Sequence, residues 1–265
     1  MANTYWFKQD SEQPLFLDLI WSRPENKNQS GKLLIVGGNL YGFSAPAEAY
    51  AVAGQAGIGT ARVVLPAAIK KAVGSFIENG TFAPSTPSGS FSQTALDELL
   101  DQSDWADGVI FAGNLGHNSE TAILLEKFII KYRGQLTLTK DAIDYLTSNP
   151  LPLLGRDETT LVLSLSQLQR LVIILKYPQP ITFNMPLLRL VDLLHDLTQT
   201  YSFNIIVKQL GVVYVAVAGK VSTTQLAKDN DNWQVSTAAR SAVWWLQNPK
   251  KSFEALTTGV VSLKI

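Results

Sequence analysis

KLLIVGGNLYGFSAPAEAYAVAGQAGIGTARVVL, residues 32–65, decides the fold class. Leu33 to Gly38 is an apolar run of strand length that closes on two glycines, and Pro46 stands where a first helical turn tolerates its missing N–H. An Ala-rich body runs from Ala47 to the stop at Gly57, and Thr60 to Leu65 is a second strand-like run with β-branched residues. Strand, helix, strand is the unit of a parallel sheet, because two parallel strands need a crossover and cannot be joined by a tight turn.

The same rhythm continues downstream. A helix is expected near Ala67 to Val73, then a loop rich in Gly, Pro, Ser and Thr from Gly80 to Ser92, the segment expected to be most mobile, then a helix from Gln93 to about Ser103. Gly108 to Ala112 and Gln135 to Thr139 read as strands, and between them Asn118 caps a helix in which Leu124 stacks near Phe128 and Leu125 near Ile129. Thr160 to Leu165 is a further strand, followed by a mixed stretch through Pro178 and Pro180, a helix from about Pro186 to Thr200 and a hairpin from Asn204 to Val221. Helices from about Ser236 to Gln247 and Lys250 to Leu263 finish the chain. The expectation is one α/β domain over residues 1–265, a three-layer α/β/α sandwich with a mostly parallel central sheet. Open sheets of this kind bind ligands beyond the carboxyl ends of their strands, so Gly37 to Tyr41, Gly113 to Asn118 and Lys140 to Asp141 should converge.

Composition narrows the function. Lys plus Arg and Asp plus Glu are 22 each, so no net field draws the chain toward nucleic acid or an anionic membrane. With no cysteine there is no disulfide framework or thiolate chemistry, and Lys8, Asp10, Glu12 and Asp18 break up any secretory leader, which makes the cytoplasm the expected compartment. A charged fraction of 17% is below the usual quarter or so and suggests that association with further copies covers part of the surface. Two separated histidines match no metal-ligand spacing, so no dedicated metal site is expected; no Gly-x-Ser-x-Gly elbow or Gly-Lys-Ser/Thr phosphate loop is present.

Two glycine turns carry the candidate chemistry: Val36 to Pro46, where a strand hands over to a helix start that attracts anions, and Ala112 to Thr121, where backbone can approach a ligand closely. Each also reads as an ordinary structural turn. His117 beside a helix start reads as solvated, and His195 in Leu-Leu-His-Asp-Leu reads as structural; Asp229 and Asp231 read as a solvated loop.

Taken together in chain order, these segments resemble the ADP-dependent NAD(P)H-hydrate dehydratases, a ribokinase-like family that repairs hydrated nicotinamide cofactors. Lys27 to Gly31 precede Leu33 to Asn39 and then Tyr41 and Ser44-Ala45-Pro46, where the family has a basic Gly-Asp segment, Gly-Gly-Ser and Tyr-x-Gly-Ala-Pro. Gln55-Ala56-Gly57 or Gly57-Ile58-Gly59 match its Gly-Ala-Gly, Ala112 to Gly116 its Gly-Pro-Gly-Leu-Gly, Thr139 to Ile143 its Asp-Ala-Asp-Ala-Leu strand end with only the second Asp kept, Val207 to Gln209 its Leu-Lys-Gly hairpin with Gly219 following, and Ser252 to Ala255 with Gly259 its Pro-Phe-Glu-Ala helix. The resemblance implies that Gly38, Asn39, Tyr41, Ala45, Gly113, Asn114, Gly116 and Asp141 line the substrate, and that Lys208 lies toward the nucleotide. It also implies ADP or ATP as co-substrate with Mg2+, NAD(P)H hydrate as substrate, and a homo-oligomer of four or more subunits.

Two signatures are replaced. Leu163 to Gln167 stand in place of Thr-Pro-His-Pro-Gly-Glu, and Trp233-Gln234-Val235-Ser236 in place of Gly-Thr-Gly-Asp, so Ser236 occupies the position of the Asp that takes a proton from the substrate hydroxyl. A serine caps a helix well and is a poor base, and losing a positioned base costs a factor of about 100 to 10,000. The resemblance therefore points to a divergent, nucleotide-binding relative with its catalysis in question. The alternatives are an active lyase using a displaced carboxylate, with Asp229 or Asp231 as the substitute, or a small-molecule kinase of the same fold.

Overall fold

The computed structural model describes residues 4–73, 80–226 and 232–261. Its strands are β1 (Trp6–Gln9), β2 (Lys32–Gly37), β3 (Thr60–Pro66), β4 (Gly80–Ala83), β5 (Gly108–Gly113), β6 (Gln135–Thr139), β7 (Thr159–Leu163), β8 (Asn204–Gln209), β9 (Val212–Val217) and β10 (Lys220–Gln225). They form a 10-stranded sheet in the order β1-β10-β9-β8-β7-β6-β5-β2-β3-β4 among the described residues. Neighbours are parallel throughout except for the two pairings of β9. The helices are α1 (Leu17–Trp21), α2 (Ser44–Gln55), α3 (Lys70–Val73), α4 (Leu96–Trp105), α5 (Ser119–Lys131), α6 (Asp141–Leu146), α7 (Leu151–Leu154), α8 (Leu165–Ile174), α9 (Leu187–Thr200), α10 (Trp233–Gln247) and α11 (Ser252–Val260).

The layers follow from the pleat. Alternate side chains of a strand point to opposite faces, so a strand covered on both sides must be apolar at every position. In β2, Leu34 and Val36 join a core made with α4, α5, α8 and α9, while Leu33 and Ile35 join a second core made with α2, α10 and α11. All six residues of β5 are buried. This is the expected α/β/α sandwich with a mostly parallel sheet. Small side chains set the distance between two of its helices: Ala45, Ala49 and Ala53 are buried on α2, Ala238, Ala239 and Ala242 on α10, and the two helices pack directly. That close approach brings the first turn of α2 to the first turns of α10.

Several elements differ from expectation, among them the short helices α1, α6 and α7, not anticipated from the sequence. Trp6–Gln9 adds a parallel edge strand beside β10, and the hairpin of Asn204 to Val221 is a three-stranded meander running on to Gln225. The Gly80 to Ser92 segment, read as a mobile loop, begins with β4 and closes on Phe91, which is fully buried, with Thr86 N donating to Ser90 O at 2.8 Å and Ser92 N to Pro84 O at 3.0 Å. A helix, α8, starts inside the stretch read as mixed; its signal is the capping box in which Ser164 Oγ accepts from Gln167 N and Gln167 Oε1 accepts from Ser164 N. The expected last helix is seen as α11, and its reading beyond residue 261 lies outside the described residues. No helix among the described residues is long and apolar enough to cross a membrane.

Candidate ligand site at the carboxyl edge of the sheet

The three turns do converge. Beside β5 the register of β2 shifts between Val36 and Gly37, so that Gly37 pairs with Gly113 and Gly38 N donates to Gly113 O at 3.0 Å. A Cβ on Gly37 would lie 2.6 Å from that same carbonyl, so the approach of the two strand ends requires glycine there. Asn39 Nδ2 donates to Asn114 O at 2.6 Å, and Gly116 N to Asp141 Oδ2 at 3.2 Å.

Asn114 does more than turn the chain. The helix α2 has no side-chain cap of its own on Phe43; Asn114 Oδ1 reaches across from the end of β5 and accepts from Ala45 N at 2.8 Å and Ser44 Oγ at 3.2 Å. A helix start leaves its first N–H groups unpaired, and this one is closed by a neighbouring strand end. Asn114 and Lys140 both hold left-handed backbone, at φ 57° and 54°, uncommon for residues with a side chain and more frequent at functional sites.

A cavity of about 430 Å³ opens above these strand ends, lined by Ser44, Ala45 and Glu48 of α2, Asn114, Lys140, Asp141 and Asp144 from the ends of β5 and β6, Gln167 of α8, and Asn232, Gln234 and Val235 at the start of α10. A hollow of about 300 Å³ adjoins it, sharing Asp141 and Asp144 and adding exposed His117 and half-buried Tyr145. Burial pushes the Asp141 carboxyl above its ordinary range against the pull of the Gly116 and Leu115 amides, and its Oδ1 is buried without a partner. Burial also raises the Tyr145 phenol, whose oxygen accepts from Asn118 N at 2.9 Å and donates to Gly116 O. A larger hollow of about 670 Å³, near Asn204 and Trp245, lies at the opposite, amino edge, away from the converging turns.

Of the residues expected to line a substrate, Ala45, Asn114 and Asp141 line the cavity; Gly38, Asn39, Gly113 and Gly116 do not, their backbone and side chains joining the strand ends instead; Tyr41 stands exposed at the tip of its turn. Lys208 leaves β8 with its ammonium 5.0 Å from the centroid of the Trp233 ring, beside the start of α10 and outside the cavity lining. His195 is structural, its Nδ1 against Gly219 O and its ring stacked on Tyr5. Asp229 and Asp231 lie outside the described residues.

No family model matches the chain. A bifunctional NAD(P)H-hydrate repair enzyme of Methanocaldococcus jannaschii is 28% identical over 125 residues, 47% of this chain and 24% of that enzyme, so the chain spans about a quarter of the relative it matches. Among solved structures, a ribokinase-like superfamily protein of Enterococcus faecalis superposes with a TM-score of 0.74 at 14% identity over 98% of this chain and 86% of that one. The fold is ribokinase-like. An ADP/ATP-dependent NAD(P)H-hydrate dehydratase of Bacillus subtilis, co-crystallised with ATP and Mg2+, superposes with a TM-score of 0.60 at 11% identity over 93% of this chain and 86% of that one. The resemblance read from the motifs is thus met by similarity to a curated repair enzyme and to a solved dehydratase.

The start of α10 is where the resemblance places the replaced Gly-Thr-Gly-Asp signature. Ser236 is buried there, its Oγ 2.6 Å from Glu48 Oε1 and 3.2 Å from Asn232 O. Gln234 Nε2 donates to Val162 O at 3.2 Å and Gln167 Oε1 at 3.0 Å; Gln167 Nε2 donates to Lys140 O at 2.8 Å and Asp144 Oδ1 at 3.1 Å; Asp144 also holds Arg170 at 2.5 Å. Side-chain amides therefore occupy the ground where the resemblance puts phosphate-holding glycine N–H groups. Among the described residues the cavity carries three carboxylates, Glu48, Asp141 and Asp144, against one ammonium, Lys140. A phosphate chain does not fit that donor set, and among the described residues no group of three or more His, Asp and Glu is placed to hold a metal ion that would bridge the two.

Glu48 and the Gln167–Gln234 bridge were not singled out from the sequence. Glu48 had a signal, a lone charge within the Ala-rich run Ala45 to Ala53. The glutamine bridge had none, because its members lie 67 positions apart.

Proposed function

We propose that this chain is a divergent NAD(P)H-hydrate dehydratase-like protein that binds a nicotinamide-type small molecule at the carboxyl edge of the sheet and does not carry out phosphoryl transfer through the position of the family's aspartate. The observation that carries the reading is the environment of Ser236: a hydroxyl bound to Glu48, beside an amide bridge, with no glycine cradle for phosphate. Such a group lacks the basicity to take a proton from an alcohol, and the amides around it are already engaged with one another. Retention of a ligand is supported by a cavity lined by Asn114 and Asp141, the residues to which Asn39 and Gly116 bond at the converging strand ends.

The reading is tested by mixing the protein with hydrated NADH and ADP or ATP while following the absorbance of the reduced nicotinamide, with calorimetric titration of NADPH in parallel. Binding of NADPH without recovery of absorbance above background is expected. Recovery at an enzymic rate would establish the lyase reading instead, and absence of NADPH binding would remove the ligand assignment.

A further inference from the structure

Glu48 is the one acidic residue that α2 presents to the cavity, and a hydrogen bond together with the packing of its helix holds it there. Its Oε1 takes the Ser236 hydroxyl at 2.6 Å, and α2 packs on α10 through buried alanines. Among the described residues the other charged groups lining the cavity are Lys140, Asp141 and Asp144, of which Asp144 is engaged by Arg170 and Gln167. A fixed carboxylate accepts hydrogen bonds and attracts cations, and it repels phosphate. We infer that Glu48, held by Ser236, is the specificity-determining residue of this site, and that the end of the ligand inside the cavity is a phosphate-free one that donates hydrogen bonds or carries positive charge. The inference rests on the nicotinamide-type reading and sharpens it: an oxidised nicotinamide ring is cationic, its carboxamide and the attached ribose supply donors, and any phosphates remain outside the cavity. Ser236 is then a positioning residue, a part an aspartate at the same place would not play, because two carboxylates at hydrogen-bond distance repel.

The test is calorimetric titration of the full chain with nicotinamide riboside, adenosine, ADP and ATP, using wild type, Glu48→Gln, Ser236→Ala and Ser236→Thr. Nicotinamide riboside is expected to bind at least about 10-fold more tightly than ADP or ATP, and Glu48→Gln to weaken it by about 10- to 100-fold, the worth of a hydrogen bond to a charged group, while narrowing the gap to the nucleotides. Ser236→Ala is expected to weaken nicotinamide riboside less, and Ser236→Thr, which keeps a hydroxyl, to restore it. A purely structural role for Ser236 would change ADP and nicotinamide riboside alike and would overturn its assignment. ADP or ATP binding more tightly than nicotinamide riboside, or nicotinamide riboside binding unchanged in Glu48→Gln, overturns the inference and leaves the nicotinamide-type reading standing. If neither nicotinamide riboside nor NADPH binds wild type, that reading fails and the inference with it. Should Glu48→Gln not fold, Glu48→Asp, which withdraws the carboxylate by one methylene, takes its place; unchanged binding there overturns the inference as well.

Discussion

Around Gly37, Gly113 and Gly116 the carboxyl edge is held by main chain, whereas around Gln167, Gln234 and Ser236 it is held by side chains. On the first side, strand ends meet through Gly38 N to Gly113 O, and the side chains of Asn114, Asp141 and Tyr145 bond mainly to backbone groups. On the second side, amide meets amide and hydroxyl meets carboxylate: Gln234 with Gln167, Gln167 with Asp144, Ser236 with Glu48. Main-chain geometry survives a change of ligand, because glycine turns only need room. Side-chain chemistry decides which ligand is accepted. Under the proposed function, this contrast is how the chain keeps its glycine turns while its side chains select a different ligand.

The largest expected effect comes from breaking the main-chain side. Gly113 stands at φ 110°, and a Cβ there would lie 2.7 Å from Lys140 Cβ and 3.2 Å from Asp141 Oδ1. Gly113→Ala should destabilise the protein by about 3 kcal/mol, from backbone strain and overpacking together, measured by urea denaturation. A loss under about 1 kcal/mol would show that the strand ends are not fixed by backbone contact. Next comes the side-chain side. Gln167→Leu removes the capping-box partner of Ser164 N and leaves Lys140 O and one hydrogen of Gln234 unpaired in a buried setting. The expected loss is about 2 kcal/mol by the same measurement. A loss equal to that of Gly113→Ala would erase the distinction between the two sides.

The same contrast separates what could be read in the sequence from what could not. The β2-α2-β3 unit was legible because apolar runs, glycine stops and an Ala-rich helix are local patterns, and the convergence of the glycine turns followed from the strand-end rule. The edge strand β1 was not, because Trp6–Gln9 is short and mixed, and its partner β10 lies more than two hundred residues away. Nor was β4, hidden in a run of Gly, Pro, Ser and Thr that composition alone assigns to a loop. At the site, Asn114 and Asp141 lie on turns that the strand-end rule and the family resemblance had already marked, while Glu48 and Gln234 act through partners that only the packed α2 and α10 bring near.

The smallest expected effect lies at the seam between the two sides. Asp141 belongs to the main-chain side through Gly116 N, yet its other oxygen is buried without a partner, and burial raises its carboxyl above the unfolded value. Between those two values the folded protein binds more protons than the unfolded chain, so stability falls as pH rises through that window and stays lower above it. Asp141→Asn keeps an oxygen for Gly116 N and removes the buried charge. Its Tm should exceed that of wild type at pH 7, by less than about 1 kcal/mol in stability, and the advantage should shrink as pH falls through the window toward the ordinary carboxylate range. A variant less stable than wild type at pH 7, with a difference independent of pH, would mean that the charge of Asp141 is held by the Gly116 turn rather than tolerated by it, and that the main-chain side, too, selects for charge.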